Sequence, residues 1–214
     1  AGLSAGVSSE GAQRVHPSGR RVGQAHNHMT QRVYSRAAMK ILTPIRTGRL
    51  VIREFREDDW GPFHALISDP SLVERREELS AEDAARKRIQ EVVSAQESPS
   101  RCSYELAICM AESGEFIGEA DLGFMPGGNE AEIGIVLSRT VRGAGLGTET
   151  CRALIDLAWG TFGIRRVVGY CDRVNAPSRR MMEKAGMHLE DERKVYDERQ
   201  QRWRDACIYA FERG

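Results

Sequence analysis

The sequence predicts an α/β domain built around a parallel strand pair, and three neighbouring stretches predict it. Glu132-Ile-Gly-Ile-Val-Leu137 is a short apolar run of strand character. From Thr148 onward, apolar residues recur at 151, 154, 155, 158 and 162, the 3.6-residue period of an amphipathic helix. Arg165-Arg-Val-Val-Gly-Tyr-Cys171 then reads as a second strand. A helix that joins two strands of one sheet implies a parallel pair with a right-handed crossover.

Between the first strand and the helix lies Arg142-Gly143-Ala144-Gly145-Leu146-Gly147, followed by Thr148. Glycine at 143, 145 and 147 leaves backbone amides uncovered and permits positive φ, so successive N–H groups can face one hollow. At a helix N-terminus such a hollow suits a phosphate or pyrophosphate. Ligands of open α/β sheets sit beyond the carboxyl ends of the strands, where Asn175 also falls. A P-loop is excluded because no Lys follows the glycines, and the dinucleotide pattern G-x-G-x-x-G fails because the third glycine comes one residue early.

The remaining elements follow in chain order. Residues 1–38 carry five arginines and one glutamate, with no apolar period, and read as a disordered or non-native extension ahead of a single domain over 39–214. A transit peptide is the other reading of that leader. Alternation at 50, 52 and 55 predicts an edge-like first strand. A helix is expected from Asp58 through Leu66, ended by Asp69-Pro70. A second is expected over 80–95, with Ser80 and Asp83 as a capping box. Glu74 to Glu78 between them read as solvated charge. Strands at Ser103–Met110 and Glu115–Phe124 form a hairpin across Glu112-Ser113-Gly114. Met125 to Asn129 is a turn, Pro177–Ala185 a helix, and His188–Tyr196 with Arg202–Phe211 a final strand pair.

Composition narrows the function. The formal charge is zero, so the body beyond residue 38 holds 26 basic and 30 acidic residues. An acidic body argues against a nucleic-acid partner and suits a cationic amine. No run approaches the ~18 apolar residues of a membrane span, so no membrane partner is expected. Cysteines at 102, 109, 151, 171 and 207 make an odd count without C-x-x-C, as expected of free thiols in a reducing cytoplasm. The five histidines lack zinc spacing, and no metal is expected.

Arg142, Gly145 and Gly147 fill the fixed places of the [RQ]-x-x-G-x-[GA] acetyl-CoA motif of the GNAT N-acetyltransferases. The resemblance is closer to the ribosomal-protein-alanine N-acetyltransferase branch (RimJ/RimL-like), with E-I-G-x-x-L, R-G-x-G-x-[AG]-T-E, N-x-x-S and E-K-x-G. These pieces stand at Glu132–Leu137, Arg142–Glu149, Asn175–Ser178 and Glu183–Gly186. Thr47 to Arg53 resembles the branch's T-x-R-L-x-[LI]-R opening, and Trp203 to Tyr209 its closing W-x-D-x-x-x-Y. The resemblance covers about 44–212. It implies the GNAT fold: a mixed, mostly antiparallel sheet with a central splayed parallel pair and flanking helices.

It also implies acetyl-CoA as co-substrate and direct attack by a primary amine on the thioester, without a covalent enzyme intermediate. The turn Arg142–Thr148 would take the pyrophosphate, and the edge of Ile135, Val136 and Leu137 the pantetheine arm. Asn175 is both a natural helix N-cap and, in the family, a contact of the thioester region. Ser178 is placed near the thiol. Many relatives carry a tyrosine acid where Met182 stands here, which leaves Ser178 or a water for that role. Glu132 is the first candidate for the base, acting through water, with Asp197 and Glu198 as alternatives. The acceptor is expected to be the α-amine of a protein N-terminus, or else a polyamine, amino acid or antibiotic amine. The acceptor loops are expected at 69–80 and 125–131, and the protein as a monomer or homodimer. A silent CoA-binding fold and an ATP-binding protein are the rival readings.

Overall fold

The computed structural model describes residues 44–70, 81–197 and 201–213. The expected N-terminal extension, Glu74–Glu78, Ser80 and Glu198 lie outside the described residues. Eight strands form one sheet: β1 (Ile45–Arg46), β2 (Leu50–Glu54), β3 (Ser103–Met110), β4 (Phe116–Phe124), β5 (Glu130–Leu137), β6 (Arg166–Asp172), β7 (His188–Asp197) and β8 (Arg202–Glu212). Their spatial order is β1-β2-β3-β4-β5-β6-β8-β7. Among the described residues only β5 and β6 run parallel, as expected from the helix between them.

Helices cover both faces. On one side α1 (Trp60–Ile67) and α2 (Glu82–Ala95) bury Phe63, Ile67, Ala85, Ile89 and Val92 against Phe55, Ala107 and Cys109. On the other, α3 (Leu146–Gly160) and α4 (Ala176–Lys184) pack on Leu106, Ile108, Ile133, Val167 and Tyr209. The period read from sequence is the buried stripe of α3: Cys151, Leu154, Ile155 and Ala158 are all within 3% of full burial.

Four expectations need correction. The strand at Leu50 is not the edge, because the two-residue β1 pairs outside it through Ile45↔Ile52. The helix expected from Asp58 starts at Trp60, after a 3₁₀ turn over Glu57–Asp59. There Asp59 is buried and accepts from the Arg56 amide at 2.7 Å and from two Arg53 guanidinium nitrogens at 2.7 and 2.8 Å. The helix expected from Ser80 has Ala81 at its N-cap and no side-chain cap, and Glu82 and Asp83 fill its first turn. Finally, α3 begins two residues before Thr148, which places Gly147 inside the helix.

The five cysteines are free thiols. Burial pushes Cys151 up to about 12, opposed by Arg152, and burial together with the neighbouring Cys207 does the same for Cys171. A thiol raised that far stays protonated, and so unreactive, near neutral pH. Alkylation of the native protein at pH 7.5 (about neutral) is expected to leave both unmodified over an hour-scale exposure, read by peptide mass spectrometry. Labelling at either site as fast as in the unfolded chain would contradict this environment.

Candidate active site

The parallel pair opens as it runs. Its register holds from Glu130↔Arg166 to Ile133↔Gly169 and stops there. Beyond that point β5 stays bonded to β4 as far as Leu137, and β6 stays bonded to β8 as far as Asp172. Two arms therefore diverge from a branch point at Ile133 and Gly169. The inner edge of Gly134–Leu137 has no β6 partner, so its backbone groups can bond an extended ligand. At the branch point, Gly169 lets the sheet lie close to α4. A Cβ there would meet the Met182 sulfur at 2.8 Å.

The glycine turn sits at the end of the β5 arm. Gly143 and Gly145 have φ of 83° and 80°, and Gly145 is the N-cap of α3. Residues 142–145 are exposed, and a Cβ on Gly143 would meet nothing within 4 Å. This is an open cradle of amides at a helix N-terminus, which suits a phosphate. Gly147 differs from the other two. It lies in the helix, and a Cβ there would meet the Met181 sulfur at 2.9 Å, so a side chain at 147 would displace the Met181 side chain between α3 and α4. Leu146 is buried, Thr148 is half-buried, and Ala144 is exposed. Arg142 turns back along the arm, its Nε donating to the Leu137 carbonyl at 3.0 Å.

Asn175 stands past the end of the β6 arm as the N-cap of α4, its Oδ1 accepting from the Ser178 amide at 3.1 Å. The loop carrying Asn175 is fixed from β8: Arg204 pairs with Asp172, Arg173 with Asp205 at 3.4 Å, and the Arg173 amide donates to the Asp205 carbonyl at 2.9 Å. Met182, which the sequence reading also places among the cofactor contacts, is buried beneath the branch point.

Glu132 is in register with Val168, one residue before the branch point and on the face away from α3 and α4. Strand alternation puts Gly134, Val136, Glu119 and Asp121 on that same face. The Asp121 carboxylate lies across Gly134 in the space a Cβ would need. Tyr170 is on this face too. Burial first, then the charges of Glu132 and Glu130, raises its pKa and keeps the phenol protonated. The backbone of Asp197 pairs with Arg202 at the β7–β8 hairpin end, away from the branch point. A hollow of about 160 Å³ lies between α1 and the outer end of β5, lined in part by Leu66, Asp69, Phe116 and Ser138.

The sequence reading passed over Arg49, Thr47 and Tyr170 as site residues. Arg49 Nη1 donates to the Ala144 carbonyl at 2.9 Å, within the glycine turn. Its Nε and Nη2 both lie 2.7 Å from Glu149 Oε2, and its amide donates to Glu149 Oε1 at 2.9 Å. Thr47 donates to the same Oε1. Burial works against the Glu149 charge, but the bonds from Thr47 and Arg49 outweigh it and hold that carboxylate below its usual range. The T-x-R opening and the T-E after the turn were the available signals. They lie 100 residues apart in sequence, and only the fold shows that they meet.

Among the described residues no cluster of His, Cys, Asp or Glu could hold a metal, and no helix is long and apolar enough to cross a membrane. The family profile described as acetyltransferase (GNAT) domain matches residues 49–188. The uncharacterized N-acetyltransferase YnaD of Bacillus subtilis (strain 168) is 26% identical over 168 residues, 78% of this chain and 95% of that protein. A GNAT-family acetyltransferase structure from Bacillus anthracis superposes with a TM-score of 0.69 at 23% identity, covering 79% of this chain and 98% of that one. The ribosomal α-N-protein acetyltransferase RimL, in complex with coenzyme A, gives 0.70 at 19% identity over 79% and 97% of the two chains.

Proposed function

This chain belongs to the GNAT acetyltransferase family, and we propose that it moves acetyl from acetyl-CoA to the α-amine of a protein N-terminus. The observation that carries the reading is the opened strand pair with the glycine turn at its mouth. The turn Arg142–Thr148 takes the pyrophosphate on its amides, and the edge of Ile135, Val136 and Leu137 that β6 leaves unpaired bonds the pantetheine amides. Bound there, acetyl-CoA supplies an activated acyl group with a thiol leaving group of pKa ~8.5.

The chain's own residues then have three tasks. The backbone edge holds the acyl carbonyl beside the amine, which replaces a bimolecular encounter with a fixed geometry. Glu132 takes the amine proton through water from the face opposite α3 and α4. Ser178, or a water it holds beside Asn175, returns a proton to the departing sulfur. An α-amine titrates near ~8 against ~10.4 for lysine, so a carboxylate relay suffices near neutral pH.

Exposed apolar side chains on the β6 side of the cleft favour a polypeptide acceptor. Val174 is 90% exposed on the loop before Asn175, and Trp203, 57% exposed, stacks edge to face on Tyr196 at 5.4 Å where β8 runs past the end of β6. The RimL structure, named for an α-N-protein acetyltransferase, points the same way. A second reading, a polyamine or similar multiply charged small amine, draws on Glu119, Asp121 and Glu132 sharing the face opposite α3 and α4.

Thermal unfolding with acetyl-CoA, followed by CoA thiol release against N-terminal peptides, polyamines and aminoglycosides, tests the proposal. Stabilisation with turnover on peptides supports it, and turnover on polyamines alone selects the second reading. Stabilisation without turnover on any amine identifies a silent CoA binder, while no stabilisation removes the turn from the site. For the base, Glu132→Gln is expected to lower kcat about 10²-fold and to abolish the acidic limb of the pH–rate profile. An unchanged profile would retire Glu132 from that role.

A further inference from the structure

The strongest unassigned feature is the pair of oppositely charged side chains at the anion cradle. Glu149 lies in the first turn of α3, the turn whose free amides face the cradle. A lone carboxylate there would compete with a phosphate for the same positive helix end and would repel it. Arg49 meets Glu149 through two guanidinium nitrogens and uses the third, Nη1, on the Ala144 carbonyl. The Arg49 side chain remains about half exposed, at 49%. Its Nη2 lies 3.6 Å from where a Cβ of Gly145 would stand. One guanidinium thus does two things at the turn. It pulls the Ala144 carbonyl to the β2 side, and it cancels the Glu149 charge.

We propose that Arg49 is a positioning residue for the pyrophosphate of CoA, holding the Ala144 carbonyl out of the anion cradle and neutralising Glu149 beside it. The proposal rests on the cofactor reading above. It assigns a binding role to a residue of β1–β2, outside the glycine motif. The cradle is made anion-selective by a brace from the other end of the chain. Because Arg49 offers a planar fork to two acceptors, lysine can replace it only in part.

Calorimetric titration with CoA, and with pantetheine as the probe lacking pyrophosphate, separates this role from general support of the fold. Arg49→Ala is expected to weaken CoA tenfold or more, ~1.4 kcal/mol, with pantetheine affinity unchanged. Arg49→Lys, which keeps the charge but not the fork, is expected to restore only part of it. Adding Glu149→Gln to Arg49→Ala should recover the part of the loss that comes from the uncompensated charge, and not the part that comes from the released Ala144 carbonyl. Glu149→Gln alone keeps an acceptor for Thr47 and the Arg49 amide, and should bind CoA at least as tightly as the parent.

Equal loss of CoA and pantetheine, or no recovery in the double variant, would overturn the proposal. So would undiminished CoA binding by Arg49→Ala. Should Arg49→Ala not fold, the single Glu149→Gln variant decides, since a tenfold loss of CoA there contradicts charge cancellation. Failure of the parent protein to bind CoA is a different result, and it removes the cofactor reading itself.

Discussion

Asp59→Ala is expected to lower the free energy of unfolding by about 3–5 kcal/mol, the cost of leaving one member of a buried ion pair without its partner. Arg53 and Asp59 are only 15% and 7% exposed, and they face each other through two bonds of 2.7 and 2.8 Å. Asp59 also accepts the Arg56 amide, which would be left unsatisfied at the start of α1. A guanidinium stays protonated without its partner, so in the variant Arg53 remains a charged, largely buried group with no carboxylate opposite it. Denaturant titration should show a lower midpoint with an unchanged m-value. A loss under 1 kcal/mol (about the worth of an exposed pair) would mean that water reaches Arg53 freely.

The second large effect is on binding. Gly145→Val is expected to weaken CoA at least tenfold, ~1.4 kcal/mol, in a protein that still folds. Gly145 is left-handed at φ 80°, where a residue with a Cβ costs roughly 1–2 kcal/mol, and valine is the harder case because it is β-branched. Its side chain would also stand within reach of the Arg49 guanidinium, disturbing the Ala144 carbonyl that Arg49 holds. Titration with CoA at equal folded fraction is the measurement, and unchanged affinity would take the turn out of the site. Acid adds a milder, related expectation. Glu149 is held ionised below its usual range, so its contribution to stability is present above the unfolded carboxylate pKa and is lost as pH falls through the lower, folded value.

Much of this was legible in the sequence because the signals were local. The stripe 151-154-155-158 fixed α3, and the two apolar runs on either side fixed the parallel pair. What escaped was decided by distance or by space. Gly147 was grouped with its two neighbours by spacing alone, yet it lies in the helix against Met181, a contact between α3 and α4 that no local pattern carries. Met182 filled a family position, but burial beneath Gly169 determines what it touches. β1 is two residues long and too short for any alternation to announce it. The capping chemistry read at Ser80 lies outside the described residues, and the N-cap of the helix is Ala81, with no side-chain cap. Arg49 and Glu149 were both quoted in motifs, but their meeting depends on the turn folding back over the start of β2.

The strand order has a consequence for synthesis. β8, the last strand in the chain, does not close the sheet at its edge but inserts between β6 and β7. It is the strand that holds β6 where β5 lets go, and through Arg204 and Asp205 it also anchors the loop before Asn175. A nascent chain emerging N-terminus first can therefore assemble β1–β5 and the glycine turn well before the opposite arm has a support. Until residues 202–212 have left the ribosome, the protein is half a cleft, and any ligand that needs both arms arrives too early.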